Sequence, residues 1–259
     1  MTTWSFGGTA LSLYGKVLVI NEYLDLPDKR GDNYEISYRH GTIYVPKFYG
    51  QRKMTFGFSI NESSAERLEG TLDSLRQLLA VRTQQILSCT MEDASVRNAY
   101  ASVDNPLEVE RITNTLAKCA IEFTLTTPFF RGADPIPTNT TTIDASPTLM
   151  TVTNTGTFEE RDPIITLTGP LSNTVITNTT NGCVLTYTGT IDAGDSVVIQ
   201  TVNGEYTAVH NILGNVVGNL THSGSSALMV FDPVDNDLSI TDGTATTGTV
   251  DVTFYPPFI

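Results

Sequence analysis

Apolar and polar residues alternate along Met54-Thr-Phe-Gly-Phe-Ser-Ile60, so that Phe56, Phe58 and Ile60 fall on one side. A period of two predicts a half-buried strand. The same period recurs in Ala117–Thr126, where Cys119, Ile121, Phe123 and Leu125 point one way. Between these runs the period changes. Leu68, Leu72, Leu75 and Leu79 recur at helical spacing and form one apolar stripe, with Glu69, Asp73, Arg76 and Gln77 on the polar face. Ser63 and Glu66 have the S-x-x-E spacing of a capping box, which predicts where this helix begins. The stripe suits a helix lying on the sheet of its own domain; the rival reading is a partner-binding surface. Further strands are expected in Leu11–Leu26 (one or two), Thr42–Pro46, Gln85–Thr90 and Arg97–Val103, with turns at Gly31-Asp-Asn and Asp104-Asn-Pro106.

Beyond Gly132 no helical period appears. Short β-prone runs alternate with turn residues: Met150–Asn154, Ile164–Gly169, Thr174–Thr179, Cys183–Thr188, Ser196–Gln200, Leu228–Phe231, Leu238–Thr241 and Val250–Tyr255. Asn-Gly turns at 181–182 and 203–204, Asp-Pro at 162–163 and 232–233, and Asp-Gly at 242–243 complete the pattern of an antiparallel sandwich. Ala133–Pro147, with Pro135, Pro137 and Pro147 among threonines, reads as an extended connector or a strand leading into that sandwich. The chain is therefore expected to be mainly β, with domains at 1–131 and 132–259, the second opening with a linker or lead-in strand over 132–147.

Charge sharpens this division. Residues up to Arg131 include 14 basic and 15 acidic side chains, whereas from Gly132 onward Arg161 alone faces 13 acidic ones. The two halves thus present different surfaces. An acidic balance argues against nucleic acid as a partner, because phosphate binding needs clustered Lys and Arg. In the near-neutral half, Lys47, Arg52 and Lys53 lie close together and are the candidate assembly contacts, able to pair with acidic groups of a neighbour. No apolar run approaches the ~18 residues of a membrane span. The N-terminus lacks the pattern of a signal peptide, so cytoplasmic synthesis without export is expected.

Candidate chemistry is sparse. Cys89, Cys119 and Cys183 are an odd number without C-x-x-C spacing, which fits buried free thiols rather than a zinc site. His40, His210 and His222 read as solvated loop residues. Asp232, Asp235 and Asp237 offer oxygen ligands for Ca²⁺ but lack the glycine and terminal Glu of an EF-hand loop, and ordinary turn residues are the competing reading. Glu159 with Glu160, and Asp192 with Asp195, are the pairs available for acid–base hydrolysis of a sugar. A solvated acidic face explains them as well. No cofactor or metal is expected.

In the order of these features the chain resembles the distal tail proteins of long-tailed, siphovirus-like bacteriophages. The resemblance rests on Phe6-Gly-Gly8, Gly41-Thr-Ile-Tyr, Met54-Thr-Phe-Gly-Phe-Ser-Ile, the capped helix, and Phe123-Thr-Leu-Thr-Thr-Pro-Phe-Phe130. It continues in Asn154-Thr-Gly156, Pro163-Ile-Ile-Thr-Leu, Ile191-Asp-Ala-Gly-Asp-Ser-Val-Val-Ile199 and Met229-Val-Phe-Asp-Pro-Val-Asp-Asn-Asp-Leu-Ser-Ile240. One departure is Val234, where the family usually carries Gly ahead of Asn236. The resemblance implies a tail-tube-like β-sandwich with one α-helix, then a galectin-like antiparallel sandwich. It implies a non-enzymatic virion protein, assembled in the host cytoplasm, in which six copies form a ring at the distal tail tip. The ring would join the tail tube to the tip, with tube, tape measure and hub or receptor-binding proteins as partners. The alternative is a module binding host cell-wall glycan, for which Trp4, Tyr187, Tyr206 and Phe231 are the available aromatics.

Overall fold

The computed structural model describes residues 2–19, 25–38, 40–105, 107–202, 204–224, 228–243 and 247–259. The chain divides into two compact units, Met1–Phe130 with Ile259, and Arg131–Phe258.

The first unit is assembled from β1 (Thr3–Phe6), β2 (Lys16–Val19), β3 (Arg52–Asn61), helix α1 (Ala65–Leu79), β4 (Gln85–Thr90), β5 (Val96–Val103), β6 (Glu108–Arg111) and β7 (Leu116–Leu125). Its antiparallel sheet runs β1-β4-β5-β7-β3-β2, with β6 also paired to β7. The ten-residue register of β7 on β3 brings the two alternating runs side by side, Cys119 opposite Phe58 and Phe123 opposite Met54. Their apolar faces are buried, as is every leucine of the α1 stripe. Trp4 meets Phe56 edge-on at 5.0 Å, and Phe56 meets Phe123 at 5.2 Å. The single Trp is thus part of this core. Gly15 (φ +140) precedes β2, where a Cβ would lie 2.6 Å from the Ser59 carbonyl oxygen. No other residue passes there without shifting the backbone.

Several expectations need correction here. The helix is capped by Ser64 rather than Ser63: the Arg67 N–H donates to Ser64 Oγ at 3.3 Å. Within Leu11–Leu26, expected to hold one or two strands, the described residues form a 3-10 turn at Leu11–Tyr14 and the strand β2; residues 20–24 lie outside the described set, as does Pro106 of the expected 104–106 turn. Thr42–Pro46 shortens to a two-residue strand, Thr42–Ile43.

The second unit contains β8 (Asn139–Thr142), β9 (Thr148–Thr153), β10 (Ile164–Thr168), β11 (Val175–Asn178), β12 (Cys183–Tyr187), β13 (Ser196–Val202), β14 (Glu205–His210), β15 (Leu220–Ser223), β16 (Asp235–Thr241) and β17 (Thr249–Thr253). One antiparallel sheet runs β8-β17-β10-β13-β14 and the other β9-β16-β11-β12-β15. Inward residues of both, such as Ile165, Ile199 and Val252 against Ile176, Leu185 and Ile240, share a single hydrophobic core. Of the residues between Ala133 and Pro147, 139–142 form the strand β8, paired along β17, with Ile136 and Ile143 buried beside it. The apolar run Leu228–Phe231 is not a strand. It is a buried irregular segment, tied by an isolated bridge from Phe231 to Glu160.

Asparagine side chains replace the missing ladder. Asn178 Nδ2 and Asn181 Nδ2 both donate to the Val230 carbonyl, at 2.8 and 3.0 Å, and Asn154 Nδ2 donates to Phe231 at 3.0 Å. Asn236, fully buried, donates to the carbonyls of Asp232 and Val234, while its Oδ1 accepts from Asp232 N–H. Buried backbone groups must find partners, and here amide side chains supply them. The Val234 departure is absorbed locally. Its N–H closes a tight turn onto the Asp232 carbonyl at 2.7 Å around Pro233. Val234 is not among the described non-glycine residues with positive φ.

Candidate assembly surface

The residues that suggested hydrolysis or metal binding are engaged in holding the second unit together. Glu160 is buried to 0% side-chain exposure, its carboxylate gripped by the Arg131 guanidinium and by the Asp162 N–H at 2.6 Å. Burial pushes its pKa up and the Arg131 charge opposes that. Glu159 is paired separately with Arg161 at 2.7 Å. Asp195 closes a turn by donating its N–H to the Asp192 carbonyl, and its own carboxylate accepts from Asn211 Nδ2 at 3.2 Å. Asp235 and Asp237 accept from the hydroxyls of Thr153 and Thr151, and Asp232 from Asn181. Among the described residues no group of three or more His, Cys, Asp or Glu is arranged to hold a metal.

Two histidines are not the solvated loop residues expected. His210 ends β14, is buried, and accepts the N–H groups of Ile212 and Leu213 on Nδ1. His222 lies on β15, exposed, with its ring edge-on to Tyr206 at 5.9 Å. His40 is exposed. The three cysteines are buried and in no disulfide, and burial raises the Cys119 thiol pKa. Tyr187 and Phe231 are core residues, which leaves Tyr206 as the one exposed aromatic of the four considered for a glycan platform.

The basic trio is divided by the fold. Arg52 is only 4% exposed; its guanidinium donates to the Asp25 carbonyl at 2.8 Å and faces the Phe130 ring. Lys53 is at the surface, its ammonium 2.8 Å from Glu122, and that pairing raises its pKa. Lys47 is half-exposed on a hairpin arm that the sequence pattern did not announce.

This arm runs outward and back between Asp28 and Gly50. Lys29–Arg30 pair with Phe48–Tyr49, and Tyr34–Glu35 pair with Thr42–Ile43. Its base is anchored: Gly50 N–H donates to the Asp28 carbonyl at 2.7 Å, Lys29 sits over the Tyr49 ring, and Tyr49 packs on Phe129. Beyond the base it has no core. Leu26, Tyr34, Tyr38, Ile43, Tyr44 and Phe48 are all exposed, and among its described residues none is buried except Pro27 at its foot. An isolated two-stranded hairpin is marginal in water, and clustered exposed apolar side chains mark an interaction surface. Its signal in the sequence was the spread of aromatics on both sides of Gly41. Strands of two residues are too short to show a period. At the foot of the arm lies a groove of about 530 Å³, lined by residues 25–30 and 50–53.

Over its whole length this architecture matches the Dit protein (gp 19.1) of phage SPP1. The two share 15% identity, 100% of each chain is covered, and the TM-score is 0.70. This chain has the Dit fold. The SPP1 protein is described as a paradigm of the hub adsorption apparatus in phages infecting Gram-positive bacteria. A chain of the phage P2 baseplate in its activated conformation covers 98% of both sequences at 9% identity, with a TM-score of 0.39, a likeness too loose to carry an argument. No family model and no curated protein matches the sequence.

Proposed function

We propose that this protein is a structural, non-enzymatic component of the distal end of a bacteriophage tail: a ring of six copies joining the tail tube to the tip and its adsorption apparatus. The full-length Dit fold is the observation that carries this reading. The first unit, read as tail-tube-like, would build the ring, and the galectin-like second unit would face outward. Tube, tape measure and hub or receptor-binding proteins of the same virion are the expected neighbours. The arm supports the reading physically, because its exposed Tyr34, Tyr38, Ile43 and Tyr44 call for cover that a neighbouring copy would give. Lys47, on the arm, would serve charge pairing with a neighbour, whereas Lys53 already pairs with Glu122 and Arg52 serves the internal structure. The acidic second unit, with 13 carboxylates, would keep the outer surface of such a ring solvated.

Native mass spectrometry of the full chain tests this directly. A species of six times the 28.1 kDa chain mass, seen as a ring with a central opening by electron microscopy, is the expected result. A chain that stays monomeric at assembly concentrations would remove the adaptor reading and leave only the fold.

A further inference from the structure

A three-residue loop, Asn211–Leu213, joins β14 to the short strand Gly214–Asn215, with His210 paired to Gly214 and Val209 to Asn215. Such hairpin loops are ordinarily built from Gly, Asn, Asp or Ser, whose side chains or backbone freedom suit the turn. Gly214, at φ +75, fits that rule. Ile212 and Leu213 do not: they stand 72% and 70% exposed and have no side-chain oxygen to take up a turn N–H. His210 supplies the acceptor. Its ring is only 3% exposed, and its Nδ1 accepts the Ile212 N–H at 3.1 Å and the Leu213 N–H at 3.3 Å.

That arrangement fixes the state of the ring. A neutral imidazole has one nitrogen that donates and one that accepts, so here the proton is on Nε2. A second proton can go only to Nδ1, where it would turn the shared acceptor into a donor facing two donors. The protonated ring and the closed turn therefore exclude each other. The surroundings do not relieve the conflict. Asp195, ahead of β13, commits its carboxylate to Asn211 Nδ2 at 3.2 Å, and Asp192 lies in the same turn. Glu205 and Tyr206 are at the far end of β14, the strand Gly214–Asn215 has no titratable side chain, and β15 brings only His222, which meets Tyr206.

We propose that the Asn211–Leu213 loop is a proton-operated element: neutral His210 holds the apolar pair Ile212–Leu213 in one fixed turn, and protonation of His210 releases it. The inference stands apart from the ring reading. Its direction follows from linkage, because the open turn binds one more proton than the closed one and is favoured as pH falls. A freed imidazole takes that proton near pH 6.5, so the ratio of closed to open turn should fall about thirty-fold between pH 7.5 and 5.0.

Hydrogen exchange of the full-length protein tests this. After correction for intrinsic exchange rates, protection of the Ile212 and Leu213 amides should fall about thirty-fold over that range. The same fall is expected in Asp195→Asn, which removes the nearby carboxylate. It should vanish in His210→Asn, where Oδ1 can accept the N–H two residues on but does not titrate. Protection that changes less than about three-fold in the parent overturns the inference. So does a fall that persists in His210→Asn, is lost in Asp195→Asn, or is shared by β9 and β16, which would mean general loosening in acid. Should His210→Asn fail to fold, exchange of the His210 Cε1 hydrogen in the parent protein decides instead. It must titrate over the same pH range as the amide loss, and two separate transitions would overturn the link between ring and turn.

Discussion

The two units solve the same problem, a β-sheet that needs covering, in different ways. The first covers its sheet with a helix and an aromatic core, then sends out an arm whose large side chains it leaves bare. The second stacks two sheets on each other and satisfies the buried irregular segment Leu228–Phe231 with asparagine side chains. Charge follows the same divide: mixed signs around the arm, almost uniform acid in the sandwich. A surface of mixed charge and exposed aromatics is suited to contact, and a uniformly acidic one to solvation.

The largest expected effect breaks one unit without the other. Leu72 is buried in the helix stripe, and Leu72→Asp would bury an unpaired carboxylate there. A cost of about 4 kcal/mol or more is expected, enough to unfold the first unit. Urea unfolding followed by Trp4 fluorescence should lose the native signal entirely. The sandwich should keep a separate transition by circular dichroism. If the variant folds normally but no longer assembles, the stripe is an interface and the packing account of α1 is wrong.

Next comes Arg131→Ala, which strands the buried Glu160 carboxylate. Removing one partner of a buried pair costs about 3 kcal/mol, less where the remaining group can relax toward water. The sign with pH follows from the raised pKa of Glu160. A group whose folded pKa exceeds its unfolded value adds stability at acid pH and withdraws it as pH rises through the folded value. Without the opposing guanidinium that withdrawal grows. The gap between variant and parent should therefore narrow as pH falls from 7 toward 5, and Glu160→Gln in the variant should abolish the narrowing. A gap that widens in acid would refute the assignment of Glu160 as the stranded charge.

A smaller effect is expected inside the asparagine network. Asn236→Ala leaves the Asp232 N–H and the Val234 carbonyl without their side-chain partner. About 1–3 kcal/mol should be lost, with faster hydrogen exchange confined to the 228–236 segment. Exchange that quickens equally across β9 and β11 would instead show that the segment is not a local unit.

What was legible in the sequence follows the length of each periodic run. Met54–Ile60, Ala117–Thr126 and the Leu68–Leu79 stripe each span enough residues to show a period, and each folds as that period dictates. Leu228–Phe231 misleads because four consecutive apolar residues say buried without saying strand; the Asn side chains that bond its carbonyls come from 49 or more residues away. His210 misleads differently. It looked like a loop residue because Asn, Gly and His surround the turn, yet it is buried as the acceptor for that turn's N–H groups. The Glu159/Glu160 pair carried no sign that Arg131, 29 residues earlier, would occupy one member. Of the candidate assembly residues, Lys47 and Lys53 were visible as charge, but nothing in sequence distance separates them from Arg52, which the Asp25 carbonyl and Phe130 draw inside.

The smallest effect on stability should carry the most information about assembly. Tyr34 and Tyr44 are exposed on the arm, and Tyr34 contributes to a ladder of only two residue pairs. Replacing both by Ser removes apolar surface that the isolated chain does not bury, so unfolding free energy should move by no more than about 0.5 kcal/mol. If a neighbouring copy covers the arm, the same change deletes two aromatic anchors from an interface, where such residues dominate binding. The double variant should then keep its melting curve and lose the six-copy species in native mass spectrometry. As a control, Leu149→Ser, which trims an equally exposed side chain from the sandwich, should change neither. Loss of assembly in Leu149→Ser with retention in the tyrosine variant would move the contact from the arm to the sandwich, and the contrast between the two units would have to be redrawn.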